Sequence, residues 1–401
     1  MKKKIVIITI LLSILVMGVS AILYFKNYTK DMTQLALINE KGERITGYKF
    51  SGVIDCINSD LILVEDIFGN YGYVDCEGKY VIRPQFEEAT EFENGYAYVT
   101  KNSFTLKGKK TEYGYIDETG KIVIPGKESY QTKFAANGLA KVRVVGGNDG
   151  YVDKTGEYAI PPVYSQADEF ADNGLAAVFK DGHGYIDKTG TFIIEPKFWN
   201  AYTFTENGLA RVQDENGLYG YIDETGNYVI QPQFDDAGDF CEGMAIVTYK
   251  SQNSAGEEEE IYGYINEQGE QVTGPMFMEA NVFCNGLAVV EDINGLFGYV
   301  DKQGDYVVEP QFRSAFNFAK NGLAGVKDQN GLYGYIDKTG NYVIEPQFIF
   351  IDNFSDNGLA AVELAETELW GYIDETGKFV ILAKYDWAWG FNEHGVACVK
   401  K

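Results

Sequence analysis

The chain has 401 residues, of which 45% are hydrophobic, and a formal net charge of −25 at pH 7. That length and apolar content suffice for a large buried core and exclude a disordered acidic polymer. The acidic charge also makes nucleic acid an unfavourable partner, because a negative surface repels the phosphate backbone.

The residue counts favour an all-β protein. The sequence contains 45 Gly, 29 Tyr and 25 Phe but only 9 Pro. Many glycines and aromatic residues together are typical of short strands joined by tight turns. The 5 cysteines are too few for a disulfide framework.

The first 30 residues predict a membrane anchor. A basic stretch, Met1–Lys4, precedes the uncharged, mostly apolar segment Ile5–Tyr24, which is long enough for a helix to span a bilayer. The lysines before the span favour a single pass with a cytoplasmic N-terminus and the acidic remainder outside. A weak cleavage signal at Val19-Ser20-Ala21 leaves the alternative of a removed signal peptide and a secreted protein.

Residues 71–401 consist of nine repeats. A Gly-Tyr pair recurs at intervals of 34 to 43 residues, at Gly72, Gly114, Gly150, Gly184, Gly220, Gly263, Gly298, Gly334 and Gly371. Residues 31–70 contain a weaker copy, in which Ile38-Asn39-Glu40-Lys41-Gly42 follows the same pattern. Terminal units of repeat arrays are often atypical, so this segment is predicted to be a degenerate capping repeat.

The repeats resemble the WG (also called KWG) repeat, which is found in many bacterial proteins. Trp370-Gly371-Tyr372-Ile373-Asp374 carries the signature directly, and other units replace the Trp mostly with Tyr. The resemblance implies a β-rich repeat array in a bacterial protein and, loosely, an interaction role. It implies no defined ligand or activity.

One unit predicts a three-stranded meander. In the fifth unit the strands are Ala210–Val212, Leu218–Asp223 and Tyr228–Ile230, and Pro232 ends the third. A connector, Gln233–Phe240, leads to the next unit and is a fourth strand in the alternative interpretation. Because one such sheet cannot bury its apolar face, neighbours must stack into a curved solenoid or a closed, propeller-like array.

No catalytic, cofactor-binding or metal-binding residues are predicted. His183 stands at the position of Tyr219 and Trp370 in other units, and His394 replaces an Asn in a turn, so both are interpreted as variants of structural positions. An Asp follows the Gly-Tyr pair by two residues in nearly every unit and is predicted to shape a turn. A pair of glycosidase carboxylates leaves little local pattern, so a glycoside-processing enzyme remains as a lesser alternative.

Departures from the repeat indicate where a partner binds. Insertions at Lys101–Thr111 and Ser251–Ile261 fall in the same turn of two units, so they are predicted to project from one edge. Aromatic residues interrupt polar or small positions in the connectors, at Trp199, Tyr202, Phe316, Phe350, Trp387 and Trp389. If exposed, these rings could stack on sugars or anchor a protein. The alternatives are loops that have drifted without a role and rings that fill gaps between units.

Together these observations predict an extracytoplasmic, non-catalytic scaffold that binds a protein at the bacterial cell surface. The alternative is a module that binds carbohydrate or cell wall through the connector aromatics. The partner, protein or glycan, is not identified by the sequence, and no cofactor is expected. Contact with the membrane is predicted through the N-terminal helix only.

Overall fold

A computed structural model describes residues 35–401, except 48, 54–60, 94, 106–107, 126–129, 145–146, 253–255 and 257. All regular secondary structure in these residues is β, which confirms the predicted class. The predicted anchor, residues 1–30, lies outside the described part of the chain. Within that part, no helix has the length and apolarity needed to cross a bilayer.

The strands form antiparallel sheets, which we call blades 1 to 10 in chain order. Blades 1 to 9 have strands a to d, and blade 10 has three strands. Blade 1 comprises β2 (Gly52–Val53), β3 (Leu61–Glu65), β4 (Tyr71–Asp75) and β5 (Tyr80–Phe86). Blade 2 comprises β6 (Glu88–Ala89), β7 (Ala97–Thr105), β8 (Gly108–Ile116) and β9 (Ile122–Pro125). Blade 3 comprises β10 (Tyr130–Phe134), β11 (Ala140–Arg143), β12 (Asp149–Val152) and β13 (Tyr158–Tyr164). Blade 4 comprises β14 (Gln166–Ala167), β15 (Ala176–Phe179), β16 (His183–Ile186) and β17 (Phe192–Phe198). Blade 5 comprises β18 (Asn200–Ala201), β19 (Ala210–Gln213), β20 (Tyr219–Ile222) and β21 (Tyr228–Phe234). Blade 6 comprises β22 (Asp236–Ala237), β23 (Met244–Gln252), β24 (Glu258–Asn266) and β25 (Gln271–Phe277).

The remaining strands complete the array. Blade 7 comprises β26 (Glu279–Ala280), β27 (Leu287–Glu291), β28 (Phe297–Asp301) and β29 (Tyr306–Phe312). Blades 8 and 9 share a long strand and comprise β30 (Ser314–Ala315), β31 (Ala324–Lys327), β32 (Tyr333–Ile336), β33 (Tyr342–Ile351), β34 (Ala360–Leu364), β35 (Trp370–Ile373) and β36 (Phe379–Tyr385). Blade 10 comprises β37 (Trp387–Ala388), β38 (Val396–Lys400) and β1 (Leu35–Asn39).

Blades 2 to 9 have a fourth strand that comes from the connector of the preceding unit, and in most of them it is only two residues long. In the fifth unit the connector contains Asp236–Ala237, which pairs with Thr248 and Val247 as strand a of blade 6. The three-stranded meander is therefore extended by the connector of the preceding unit, as the alternative interpretation had it. The sequence repeat and the structural blade are offset by one strand.

The two ends of the described chain meet in blade 10, where β1 pairs with β38 from Leu35↔Lys400 to Asn39↔Val396. Ile38 packs against blade 9 in a core cluster with Tyr372. On the opposite face, Leu37 packs against Ile62 and Val64 of blade 1. Blade 10 thus has a core interface on both sides, and the array is a closed ring. The segment predicted to cap the array supplies strands to blades 10 and 1.

The a strands lie on the inner side of this ring. One cleft of about 900 Å³ is lined by the short segments that follow strand a in five successive blades, the first at Glu93 and the last at Asp239. Segments of five blades can line one cleft only if they lie on the concave side of the ring. We call the end of the blades with the b–c turns and the d-to-a connections the upper rim. The a–b and c–d turns form the lower rim.

The Gly-Tyr glycine lies where the outer strand crosses closely over strand c. In blade 5, Tyr219 pairs with Phe234 but Tyr221 pairs with Ile230, so strand d bulges over Gly220. A Cβ at Gly220 would lie 2.6 Å from the Ile230 carbonyl oxygen and 2.7 Å from the Pro232 nitrogen. In this and five other repeats, at Gly72, Gly150, Gly184, Gly298 and Gly334, the glycine and the proline therefore belong to one bulge.

The tyrosine that follows this glycine joins one blade to the next. In eight blades its hydroxyl donates a hydrogen bond to a backbone carbonyl 17 residues later, just after strand a of the next blade, as Tyr221 does to Gly238 at 2.6 Å. Burial raises the pKa of these phenols, so the hydroxyls stay protonated and can donate. The repeat thus specifies contacts between blades as well as strands within them.

We expect Tyr221→Phe to lower the free energy of unfolding by about 1 kcal/mol, because the Gly238 carbonyl loses its buried donor. Urea unfolding of the full chain in neutral detergent measures the change. Tyr228→Phe, at a half-buried site on the outer strand of the same blade, is the control and should shift stability by less than about 0.5 kcal/mol. Equal effects of the two substitutions would contradict a specific role for the hydrogen bond.

Candidate binding surfaces

The recurring aspartates are used in turns, as predicted. The Asp337 carboxylate accepts hydrogen bonds from the backbone N–H groups of Thr339 and Asn341, and the equivalent residues of the other units do the same. In unit six Asn266 replaces the aspartate and accepts the equivalent pair. These side chains are committed to c–d turns on the lower rim. Among the described residues, no three His, Cys, Asp or Glu side chains form a group that could hold a metal ion.

The six predicted aromatic residues lie in one region of the blade, because each is in an a strand or directly beside one. Tyr202 and Phe316 are half-buried between blades. The Arg211 guanidinium lies 3.8 Å from the centre of the Tyr202 ring, and the Phe316 ring packs against Tyr333 at 5.9 Å. Each of these two side chains therefore already packs against another residue of its own blade, Arg211 for Tyr202 and Tyr333 for Phe316.

Three of the remaining four, Phe350, Trp387 and Trp389, pack around Trp370, and we call these four residues the aromatic cluster. Phe350, Trp387 and Trp389 are 54%, 45% and 43% exposed, although each is a large apolar side chain. Trp370 is 5% exposed beneath them, with ring-centre distances of 6.5 Å to Phe350 and 5.0 Å to Trp387. Trp389 continues the series at 6.1 Å from Trp387.

Trp370 was not among the residues predicted from the sequence, because it is the signature residue of the repeat. Its indole N–H is buried and has no hydrogen-bond partner in the described residues. Other units place Tyr, Phe, His or, in one case, Asp in this position. Trp370 is the only Trp at this position of the repeat, and the a strands on both sides of it carry the exposed residues Phe350 and Trp387. That combination is the pattern in the sequence that could have identified Trp370 as part of a binding surface.

Trp199 lies elsewhere on the upper rim, beside His183. Trp199 is 68% exposed at the connection between blades 4 and 5. The His183 Nδ1 lies 2.7 Å from the Trp199 carbonyl oxygen, and the His183 ring packs edge-on against Phe179 at 4.8 Å. A cavity of about 590 Å³ opens here and is lined by both His183 and Trp199. A second cavity of about 190 Å³ lies on the inner side and is lined by His183, Asp168 and Tyr202.

Two of the titratable groups that line these cavities, His183 and Asp168, have shifted pKa values. Burial lowers the pKa of His183, only partly offset by its hydrogen bond to Trp199 and by the Asp168 carboxylate. Burial also raises the pKa of Asp168, against the opposing effect of Lys141 and His183. Both shifts disfavour charge, as expected for groups in a gap between two sheets. At neutral pH His183 is therefore uncharged and can act as a hydrogen-bond acceptor.

The two insertions lengthen b–c hairpins on the upper rim. In blade 2 the pairing of β7 with β8 continues to Thr105↔Gly108, and in blade 6 that of β23 with β24 continues to Gln252↔Glu258. Their side chains have opposite character, because Lys109 and Lys110 lie on the first and exposed glutamates on the second. The insertions, Trp199 and the start of the aromatic cluster thus lie at the same end of the blades.

Comparison with known proteins identifies the repeats. A family model described as WG containing repeat matches nine stretches, residues 71–103, 113–148, 150–182, 184–219, 219–250, 262–296, 297–333, 333–366 and 370–401. None of the curated proteins compared with the sequence matches it.

Solved structures with similar arrangements share little sequence with the chain. BamB from Moraxella catarrhalis is 12% identical, with a TM-score of 0.30 over 71% of this chain and 84% of that one. Dihydro-heme d1 dehydrogenase NirN is 12% identical, with a TM-score of 0.34 over 78% and 72%. The WD40 beta propeller domain of Doa1 is 11% identical, with a TM-score of 0.25 over 88% and 96%.

Proposed function

The chain belongs to the family of proteins with WG containing repeats, and on that premise we propose that it is a non-catalytic, ring-shaped scaffold that binds a protein through its upper rim. The observation that carries the proposal is the aromatic cluster. Three large exposed rings supported by a buried tryptophan are typical of an interaction surface, since soluble surfaces rarely group such residues.

The distribution of regular and irregular residues supports the same function. The glycines, tyrosines and aspartates of the repeat form bulges, contacts between blades and turns. The residues that depart from the repeat are concentrated on the inner strands and the upper rim. A scaffold with a binding surface predicts this division, whereas an enzyme requires convergent reactive groups in a pocket.

We place the ring outside a bacterial membrane, tethered by residues 1–30 with the N-terminus in the cytoplasm. The supporting observation is the charge pattern, because residues 1–30 contain five lysines and no acidic residue while the remainder is strongly acidic. Cleavage of this segment would instead release the ring as a secreted protein.

The exposed tryptophans also favour one second function, which is binding of carbohydrate. Flat aromatic side chains such as Trp387 and Trp389 can stack on sugar rings. The two functions differ in what is captured at the cluster. A protein partner yields a polypeptide adduct, whereas a glycan yields an adduct that glycosidases remove.

We expect a photoreactive phenylalanine analogue at Phe350, in the full chain in its native host, to capture one discrete protein on irradiation. The same analogue at Val229, which is 45% exposed on an outer strand, is the control and should capture none. Mass spectrometry of the adducts distinguishes protein from glycan. No adduct at Phe350, or the same adducts at both positions, would overturn the proposal.

Once that partner is captured, we expect Trp387→Ala to weaken its binding about 30-fold, the effect typical of an interface residue worth about 2 kcal/mol. Trp199→Ala removes an exposed tryptophan from the same rim but outside the cluster, and should change the affinity less than about threefold. Titration of the full chain in neutral detergent with the purified partner measures both. An equal loss in the two variants would show that the cluster is not the site.

A further inference from the structure

The first residue of strand c, which faces the next blade, is smaller in blades 3 and 4 than in the other complete units. The first residue of strand c packs between blades as a large ring in seven units, at Tyr71, Tyr113, Tyr219, Tyr262, Phe297, Tyr333 and Trp370. In blade 3 this residue is Asp149, which is buried, pairs with Arg143 at 2.7 Å and accepts a hydrogen bond from the Ala167 backbone N–H of the next blade at 2.9 Å. In blade 4 it is His183, whose ring packs against Phe179 of the same blade at 4.8 Å. An imidazole is smaller than a phenol, so part of the gap between blades 4 and 5 stays unfilled.

The gap between blades 4 and 5 contains two neighbouring cavities, which together we call the crevice. The outer cavity of about 590 Å³ and the inner cavity of about 190 Å³ are both lined by Gln166, Phe179, His183 and Asn200. The crevice begins on the upper rim beside Trp199 and ends at Asp168. Its volume is that of a site for a small organic molecule.

His183 presents a hydrogen-bond acceptor to this crevice. The Trp199 carbonyl can only accept, so Nδ1 of His183 carries the proton and donates across the 2.7 Å contact. In the neutral ring Nε2 then has a lone pair. A ligand that meets it must carry an N–H or O–H donor.

The charges that line the crevice favour a cation. Asp168, Asp181 and Glu215 contribute carboxylates to its walls. Lys197 is the only lysine or arginine among the lining residues, and its ammonium group donates to the Gly226 carbonyl at 2.9 Å. The apolar part of the walls is aromatic, with Phe179 inside and Trp199 at the mouth, and such rings attract ammonium groups.

We propose that the crevice between blades 4 and 5 binds a small linear alkylamine in its ammonium form. One ammonium group donates to Nε2 of His183 beside the Asp168 carboxylate, and the alkyl chain lies along Phe179 towards Trp199. This site is separate from the aromatic cluster on blades 9 and 10. It stands whether or not that cluster binds a protein.

Calorimetric titration of the full chain in neutral detergent with putrescine and spermidine tests the proposal. We expect saturable binding of one amine per chain and no saturable binding of 1,4-butanediol, which has the same length as putrescine but no charge. His183→Tyr restores the ring present in other blades and should weaken binding at least tenfold. Because the substitution replaces one neutral side chain with another at pH 7, diffuse attraction of amines to the acidic protein is unchanged.

Phe297→Tyr is the matched control, because it changes the ring at the same position of blade 7 and should leave the affinity unaltered. Thermal unfolding checks that His183→Tyr is at least as stable as the natural chain, so that lost binding is not lost folding. Asp168→Asn, which keeps the shape of the side chain, should also weaken binding. Absence of saturable amine binding, equal affinity in His183→Tyr, or equal binding of butanediol would each overturn the proposal.

Discussion

Replacement of Ile38 with aspartate is expected to open the ring and to lower the free energy of unfolding by about 4 kcal/mol, since it removes a buried apolar side chain and buries an unpaired charge. Ile38 is fully buried, pairs with Ala397 across β1 and β38, and packs against blade 9. The substitution therefore acts on the only sheet that contains both ends of the described chain. Urea unfolding of the full chain in neutral detergent, followed by tyrosine and tryptophan fluorescence, measures the loss.

The control places the same charge where the ring does not need an apolar residue. Val229→Asp, on an outer strand with the side chain 45% exposed, should change stability by less than about 0.5 kcal/mol. In a closed ring, the stability lost through Ile38→Asp should lower the unfolding midpoint of the whole array. If Ile38→Asp exposes only the terminal strands to protease while the midpoint stays constant, the blades behave as an open stack in which each depends on its neighbours alone.

Gly220→Ala is expected to destabilise the protein by about 3 kcal/mol. The added methyl group would lie 2.6 Å from the Ile230 carbonyl oxygen and 2.7 Å from the Pro232 nitrogen, and both are backbone atoms that cannot move aside alone. Strand d must shift away from strand c, which breaks the pairing of the bulge. The expected result is a lower urea midpoint for the full chain.

Gly274→Ala is the matched control for this substitution. Gly274 lies in the outer strand of blade 6, and a Cβ there meets no atom within 4 Å. Alanine should be neutral at this position or stabilising by about 0.5 kcal/mol, because it restricts the unfolded chain. Similar losses at Gly220 and Gly274 would indicate that the effect reflects strand flexibility rather than the close approach of strand d.

The sequence was sufficient to predict the features that depend on local patterns. The periodic Gly-Tyr pair predicted the number of complete repeats, and the aspartate two residues after it predicted a turn. Both succeeded because a turn depends on a few consecutive residues whose side-chain chemistry is visible in the sequence. Asn266 was informative in the same way, since it keeps the hydrogen-bond acceptor while losing the charge.

Features that depend on contacts between distant residues were predicted at most as one of two alternatives. A two-residue strand such as Asp236–Ala237 is too short to show the alternation by which strands are recognised. The hydrogen bond from each tyrosine to the next blade depends on the offset of neighbouring sheets, which the sequence of one unit does not contain. Closure was likewise left open, because β1 and β38 lie at opposite ends of the described chain and neither carries the full repeat pattern.

The sequence predicted individual residues of the candidate surfaces but not which of them lie together in the folded protein. Departures from the repeat identified Phe350, Trp387 and Trp389, and only the packing of blades 9 and 10 brings them onto Trp370. His183 was interpreted as a variant of a structural position, and that is where it lies. The consequence of its smaller ring, a crevice beside Trp199, depends on the width of the gap between two blades, which is a property of the folded ring.

The pairing of β1 with β38 also constrains how the protein can be made. β1 leaves the ribosome early, yet the strand it pairs with is synthesised about 360 residues later, which at the usual speed of translation is a wait of roughly 20–70 s. Throughout that time β1 lacks its partner strand and presents an unpaired edge to other chains. The cell must protect that edge until the last strand arrives, so truncated products that lack β38 should be the forms of this protein most prone to aggregate.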